Sequence, residues 1–145
     1  MDQKIDSPVV EVATTINAAP DAVWHAMTAT QSPMFMGATI DTDWKPGSRY
    51  TLQGEWNGKS FTDYGEIEAA VPAKELSFTH WAKTEQRPES YNAVRYRLTP
   101  EGEGTRVTLA QFARGKTQSF DEPTKAEFKK NWTMMLDALK KAAEA

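Results

Sequence analysis

Cysteine is absent from this chain of 145 residues, which excludes disulfides, thiol nucleophiles and zinc sites built on thiolate. Histidine is scarce: His25 and His80 stand on different segments, outside any HxxxH or HExxH spacing, so a zinc site built on imidazole is not expected. No glycine-rich phosphate loop and no G-x-S-x-G turn occurs. Asp41, Asp43 and Asp63 do not follow the spacing of a calcium loop. Neither metal nor cofactor is therefore expected. No apolar run approaches the ~20 residues of a membrane span, and the opening MDQKIDSPVV lacks the apolar core of a signal peptide. An excess of one charge is missing too. Acids and bases intermingle to a net charge of −3, which argues against a nucleic-acid surface. Together these absences predict a cytoplasmic protein with no membrane span and no nucleic-acid partner, either monomer or homodimer.

What is present suits one ordinary globular unit. A hydrophobic content of 39% is enough for a packed core, and the length predicts a single domain over residues 1–145. The longest regular segment is the last, from about Thr124 onward. Phe128, Trp132, Met135, Leu136, Leu139 and Ala143 recur three or four residues apart, the stripe of an amphipathic helix, with lysines and acids on the remaining face. Thr124 and Glu127 have the spacing of a capping box, and Pro123 discourages an earlier start. Such a helix needs an apolar surface opposite it.

The rest of the chain supplies short strands. Residues 9–16, rich in Val, Thr and Ile, read as the first. Pro20 and Asp21 open a short helix to about Thr28, with Val23, Trp24 and Met27 as its buried stripe. Met34, Phe35 and Met36, after Ser32 and Pro33, predict a second short helix or an apolar loop. Strands then follow over residues 39–44, 49–56, 59–70, 76–81, 91–98 and 105–113. Asn57-Gly58 between two alternating runs is a hairpin signal, because both residues tolerate positive φ. The connections are too short for crossover helices, so the sheet is antiparallel. The expected fold class is α+β: a helix-grip arrangement, a curved antiparallel sheet wrapped around a long C-terminal helix, with two short helices after the first strand. By parity Tyr50, Leu52, Gly54 and Trp56 share the concave face with Leu76, Phe78 and His80, with Val94, Tyr96 and Leu98, and with Val107, Leu109 and Gln111.

Four motifs in order resemble one superfamily. The run from Ile16 through Ala18, Ala19 and Pro20 to Val23 and Trp24 resembles the "I-x-A-P-x-x-V-W" opening of SRPBCC (START/Bet v 1-like) proteins. Asp43 to Tyr50, with Pro46 and Gly47, is similar to the "D-x-R-P-G-G-x-F" turn of the branch homologous to the C-terminal domain of the activator of Hsp90 ATPase, with Lys45 and Ser48 in place of Arg and Gly. Gly65 to Trp81 resembles that branch's "G-x-V-x-E-x-x-P-x-x-x-L-x-F-x-W" stretch, and Gly104 to Leu109 its "G-T-x-V-T-L" strand. The resemblance implies a cavity between sheet and long helix. It implies little about chemistry, since such proteins bind lipids, hormones and polyketides and a few catalyse cyclisation or hydrolysis. Eukaryotic Hsp90 activators carry a further N-terminal domain for chaperone contact, which this sequence does not show, so the resemblance ranks co-chaperone activity behind ligand binding.

Within that frame the candidate ligand-binding residues are Phe35, Tyr50, Trp56, Phe78, His80, Tyr96, Gln111, Trp132 and Met135. The aromatic and methionine residues either line a pocket for a small apolar molecule or fill a close-packed core. His80 either orients a ligand carbonyl or transfers protons, or else ends its strand in solvent. Tyr96 and Gln111 either specify a ligand or sit at the rim. Three functions follow: non-catalytic binding of a hydrophobic or amphipathic molecule, a cyclase- or hydrolase-like enzyme using His80 as acid or base, or a co-chaperone or other protein-interaction domain, which would need an exposed apolar patch.

Overall fold

The computed structural model describes residues 7–35, 37–116 and 119–145, and of Trp56 the backbone alone. β1 (Val10–Ile16) leads to α1 (Pro20–Met27) and a single 3-10 turn (Pro33–Phe35). Six strands follow, β2 (Thr39–Asp41), β3 (Arg49–Trp56), β4 (Lys59–Val71), β5 (Glu75–Ala82), β6 (Ser90–Glu101) and β7 (Gly104–Gly115), and α2 (Glu122–Glu144) closes the chain. The second expected short helix is thus one tight turn; Met36, read with it from the sequence, lies outside the described residues.

Consecutive strands from β2 to β7 pair with one another, and β1 joins the far side of β7, giving one antiparallel seven-stranded sheet in the order β1-β7-β6-β5-β4-β3-β2. The turns explain the meander. Asn57 and Gly58 have φ of +52° and +77°, which matches the twist of a two-residue hairpin between β3 and β4. Gly102, with φ of +60°, closes an equally short turn between β6 and β7, so both strands run longer than their apolar alternation alone suggests.

Register confirms the parity of the concave face. Leu76 pairs with Tyr96 and Tyr96 with Leu109; Phe78 pairs with Val94 and Val94 with Gln111. Directly paired residues share a face, so these six form two rows across β5, β6 and β7. The opposite face is not uniformly wet. Ser77, Thr79 and Trp81 of β5 are buried there, Trp81 meets Tyr91 edge to face at 5.9 Å, and Ala93, Ala110 and Phe112 make a small second cluster.

α2 lies on the concave side and sinks Leu136 and Leu139 completely into the main core with Val23, Met27 and Met34. Its start differs from the expectation at Thr124. Asp121 is the N-cap, its Oδ1 accepting from the backbone N–H of Thr124 at 3.0 Å, and Pro123 sits inside the first turn, where its missing N–H costs nothing. The far end is tied down by Glu144, whose Oε2 accepts from the Asn17 backbone N–H at 2.7 Å, and by Lys140, which donates to the Thr15 carbonyl at 2.9 Å. The C-terminal end of α2 is thereby held against the β1 side of the sheet. No helix among the described residues is long and apolar enough to cross a membrane.

Candidate functional site

Toward the β3 and β4 side, the sheet and α2 diverge and leave a pocket of about 820 Å³. Its floor is the concave face: Leu52 on β3, Phe61 and Asp63 on β4, Phe78 and His80 on β5, Val94 on β6. Its roof is Met34 and Phe35 from the 3-10 turn with Trp132 and Met135 from α2. Glu55, Ser60, Thr62 and Lys83 complete one side.

Phe78 organises the wall. Phe35 tilts against it at 5.7 Å, Tyr50 meets it edge to face at 5.9 Å, and Tyr96 stacks on it at 6.3 Å. Edge and offset contacts of this kind add to the burial energy of each ring and fix their mutual angles. Of the four, Phe35 and Phe78 border the pocket, whereas Tyr50 and Tyr96 lie in the core with 1% exposure each. Burial pushes both phenols well above their ordinary titration range, and the Asp63 carboxylate adds to the effect at Tyr50. The Tyr50 hydroxyl is satisfied by donating to the Thr79 carbonyl at 2.7 Å.

Two glycines make room for these rings. A β-carbon on Gly65, the direct partner of Tyr50, would fall 2.4 Å from its ring, and one on Gly54 would fall 2.9 Å from the ring of Phe61, its own direct partner. The Phe61 ring can therefore rest over Gly54 at the pocket's edge.

The polar end of the pocket is a pair. His80 Nε2 lies 2.9 Å from Asp63 Oδ2, with side-chain exposures of 34% and 18%. Ala82, two residues beyond His80, is the direct partner of Asp63 across β4 and β5, so the imidazole and carboxylate are diagonal neighbours on one face. An ionised Asp63 fixes the ring with its proton on Nε2. No other hydrogen bond to either side chain is present among the described residues.

Gln111 serves the roof. Its Oε1 accepts from the Trp132 indole N–H at 2.6 Å and its Nε2 donates to Asn92 Oδ1 at 3.2 Å, so a 2% exposed amide is paired at both ends. The indole is thereby anchored to β7 while it covers the pocket.

The structure therefore gathers Phe35, Phe78, His80, Trp132 and Met135 around one space, sets Tyr50 and Tyr96 behind Phe78, and places Gln111 behind Trp132; the Trp56 side chain lies outside the described residues. Leu52, Phe61, Asp63 and Val94 were not singled out as pocket residues from sequence. Their signal was parity: Leu52 and Val94 share the faces of Tyr50 and Tyr96, and Phe61 and Asp63 alternate on β4. Among the described residues no three imidazole or carboxylate groups converge to hold a metal ion.

The family model described as activator of Hsp90 ATPase homolog 1-like protein matches residues 17–144. The solution structure of ChR145 from Cytophaga hutchinsonii is similar, at 32% identity over 96% of this chain and 94% of that one, with a TM-score of 0.72. Ara h 8.0201 is similar at 14% identity, 92% and 95% coverage and a TM-score of 0.70. DynU16, from the dynemicin biosynthetic locus, is similar at 19% identity over 91% of this chain and 45% of that one, with a TM-score of 0.71. At the last two identities the likeness is one of fold, and that fold is the helix grip expected from the sequence. No curated protein matches the chain.

Proposed function

We propose, from the premise that the chain belongs to the activator of Hsp90 ATPase homolog 1-like family within the SRPBCC (START/Bet v 1-like) superfamily, that it binds a small apolar or amphipathic molecule without transforming it. The guest would sit in the pocket between the sheet and α2. The observation that carries this reading is the wall. About 820 Å³ lies within the roughly 300–1,000 Å³ of small-molecule sites, and aromatic, methionine and aliphatic side chains face it, with His80 and Asp63 converging at one end. Apolar surface of that kind gains free energy when a guest displaces water from it.

A neutral apolar fluorophore tests the reading. N-phenylnaphthylamine is expected to bind with saturation and a gain in fluorescence. Val94→Phe, which places a ring on the pocket floor, is expected to abolish that binding while thermal unfolding stays cooperative. Absence of saturable binding to the unaltered protein would contradict the proposal.

The His80–Asp63 pair supports a second reading, an enzyme in which His80 takes a proton from a bound guest while Asp63 stabilises the imidazolium. Its test is turnover of a bound compound that His80→Gln abolishes without weakening binding. Protein association instead calls for a broad exposed apolar surface. Among the described residues the large hydrophobics that stand exposed are Val71 on β4 and Met134 on α2, at 46% and 49%.

A further inference from the structure

The polar end of the pocket is rich in acceptors and poor in donors. Asp63 is 18% exposed at its side chain and, among the described residues, takes a single hydrogen bond, from His80. An ionised carboxylate accepts several such bonds and donates none. Once Nε2–H is given to Asp63, a neutral His80 keeps Nδ1 as a bare acceptor, and no described residue donates to it. Ser60 and Thr62 hydroxyls serve in either role.

Charge points the same way. Glu55 and Lys83 both stand exposed at the rim, where water screens them and their opposite signs offset each other. Asp63 is left as the inner charge, partly desolvated and so less screened. The Trp132 indole and the phenyl rings of the wall are aromatic groups, whose π faces attract a cation and not an anion.

Resting on the ligand-binding reading above, we propose that the pocket selects amphipaths whose polar head donates hydrogen bonds, an amine or an alcohol, over carboxylates of the same shape. A donating head satisfies either Asp63 or His80 Nδ1, the two acceptors this end of the pocket leaves open. A carboxylate head brings a like charge to Asp63 with no donor between them.

Three compounds sharing one bicyclic ring separate the possibilities: naphthylmethylamine, naphthylmethanol and naphthoate, titrated calorimetrically at about pH 8, above the ordinary range of an imidazole. The amine and the alcohol are expected to bind, and naphthoate to bind at least about tenfold more weakly than either. Asp63→Asn, which keeps an acceptor for His80 and removes the charge, is expected to narrow the gap between amine and naphthoate. If the alcohol binds and naphthoate matches or exceeds either partner, or if Asp63→Asn leaves the gap unchanged, head-group selection by Asp63 is wrong while the binding pocket stands. If none of the three binds although N-phenylnaphthylamine does, head-group selection is wrong while the binding pocket stands; if the fluorophore fails too, both proposals fall.

Discussion

The ring of Tyr50 lies across Gly65, its direct partner between β3 and β4, and its hydroxyl donates to the Thr79 carbonyl at 2.7 Å on the next strand. One side chain thus ties three strands at the place where β4 carries a register shift between Ile67 and Ala69. A register shift of this kind adds bend and twist to a strand pair, in keeping with the concave face that α2 covers.

Gly65→Ala tests how tightly this junction is built. The new methyl would come within 2.0 Å of the Thr79 carbonyl oxygen as well as against the Tyr50 ring, and neither can retreat without giving up their hydrogen bond. A loss of about 1–3 kcal/mol in urea unfolding is expected. An unchanged midpoint would show that β4 and β5 have slack at this point.

Trp132 separates packing from hydrogen bonding. Trp132→Phe keeps an aromatic roof but leaves Gln111 Oε1 buried without its donor, which costs about 1–3 kcal/mol. Trp132→Ala also removes the ring, for a total of about 3–5 kcal/mol, and enlarges the pocket, so bulkier guests are expected to bind. Equal stability of both variants with the parent would mean that α2 does not lean on β7 through this residue.

Alkaline unfolding reads the two buried phenols. Their folded-state titration is raised, so the folded protein keeps its protons where the unfolded chain releases them. Stability from this source is complete below the ordinary phenol value near 10 and falls as pH rises beyond it, by about 1.4 kcal/mol per pH unit for each phenol. Unfolding free energies from denaturant titration are expected to hold near pH 9 and to fall increasingly above about pH 10, approaching that slope near pH 11, and Tyr50→Phe to halve the fall. A flat profile would place the hydroxyls in water.

Helix capping gives a fourth check. Asp121→Ala is expected to lower the melting temperature more than Glu127→Ala, because Asp121 accepts the Thr124 N–H. The Thr124 side chain's hydrogen bond, followed by this backbone one, holds the Asp121 carboxyl below its usual range, so the stability it lends is present above the unfolded-state value and is lost as pH falls through the folded-state one. The same sign holds for Glu144, whose carboxyl is lowered by the Lys140 and Asn17 hydrogen bonds. Equal effects of the two substitutions would favour a start at Thr124.

Most of the sheet was legible because turn chemistry and alternation are local. Asn57-Gly58 marked a hairpin, and parity placed Leu76, Phe78, Val94 and Leu109 on the face where register puts them. The start of α2 was misjudged because Thr124 and Glu127 have the spacing of a capping box, while the Asp121 carboxylate reaches the same N–H from outside Pro123. The His80–Asp63 pair was not legible. It depends on β4–β5 register, which places Asp63 opposite Ala82 and so diagonal to His80, and no local pattern fixes such an alignment over an intervening bulge. Gln111 was open between ligand contact and rim; only the placement of α2 shows that its carbonyl serves the Trp132 indole.

Methionine-methyl NMR of the protein saturated with N-phenylnaphthylamine tests the central claim most directly, because Met134 and Met135 are adjacent on α2 yet Met134 is 49% exposed whereas Met135 faces the pocket. Contacts from the bound fluorophore to the methyls of Met34 and Met135, with the Met134 methyl unmoved, are the predicted result. Contacts to Met134 with Met34 and Met135 silent would place the guest on the outer surface and contradict the account.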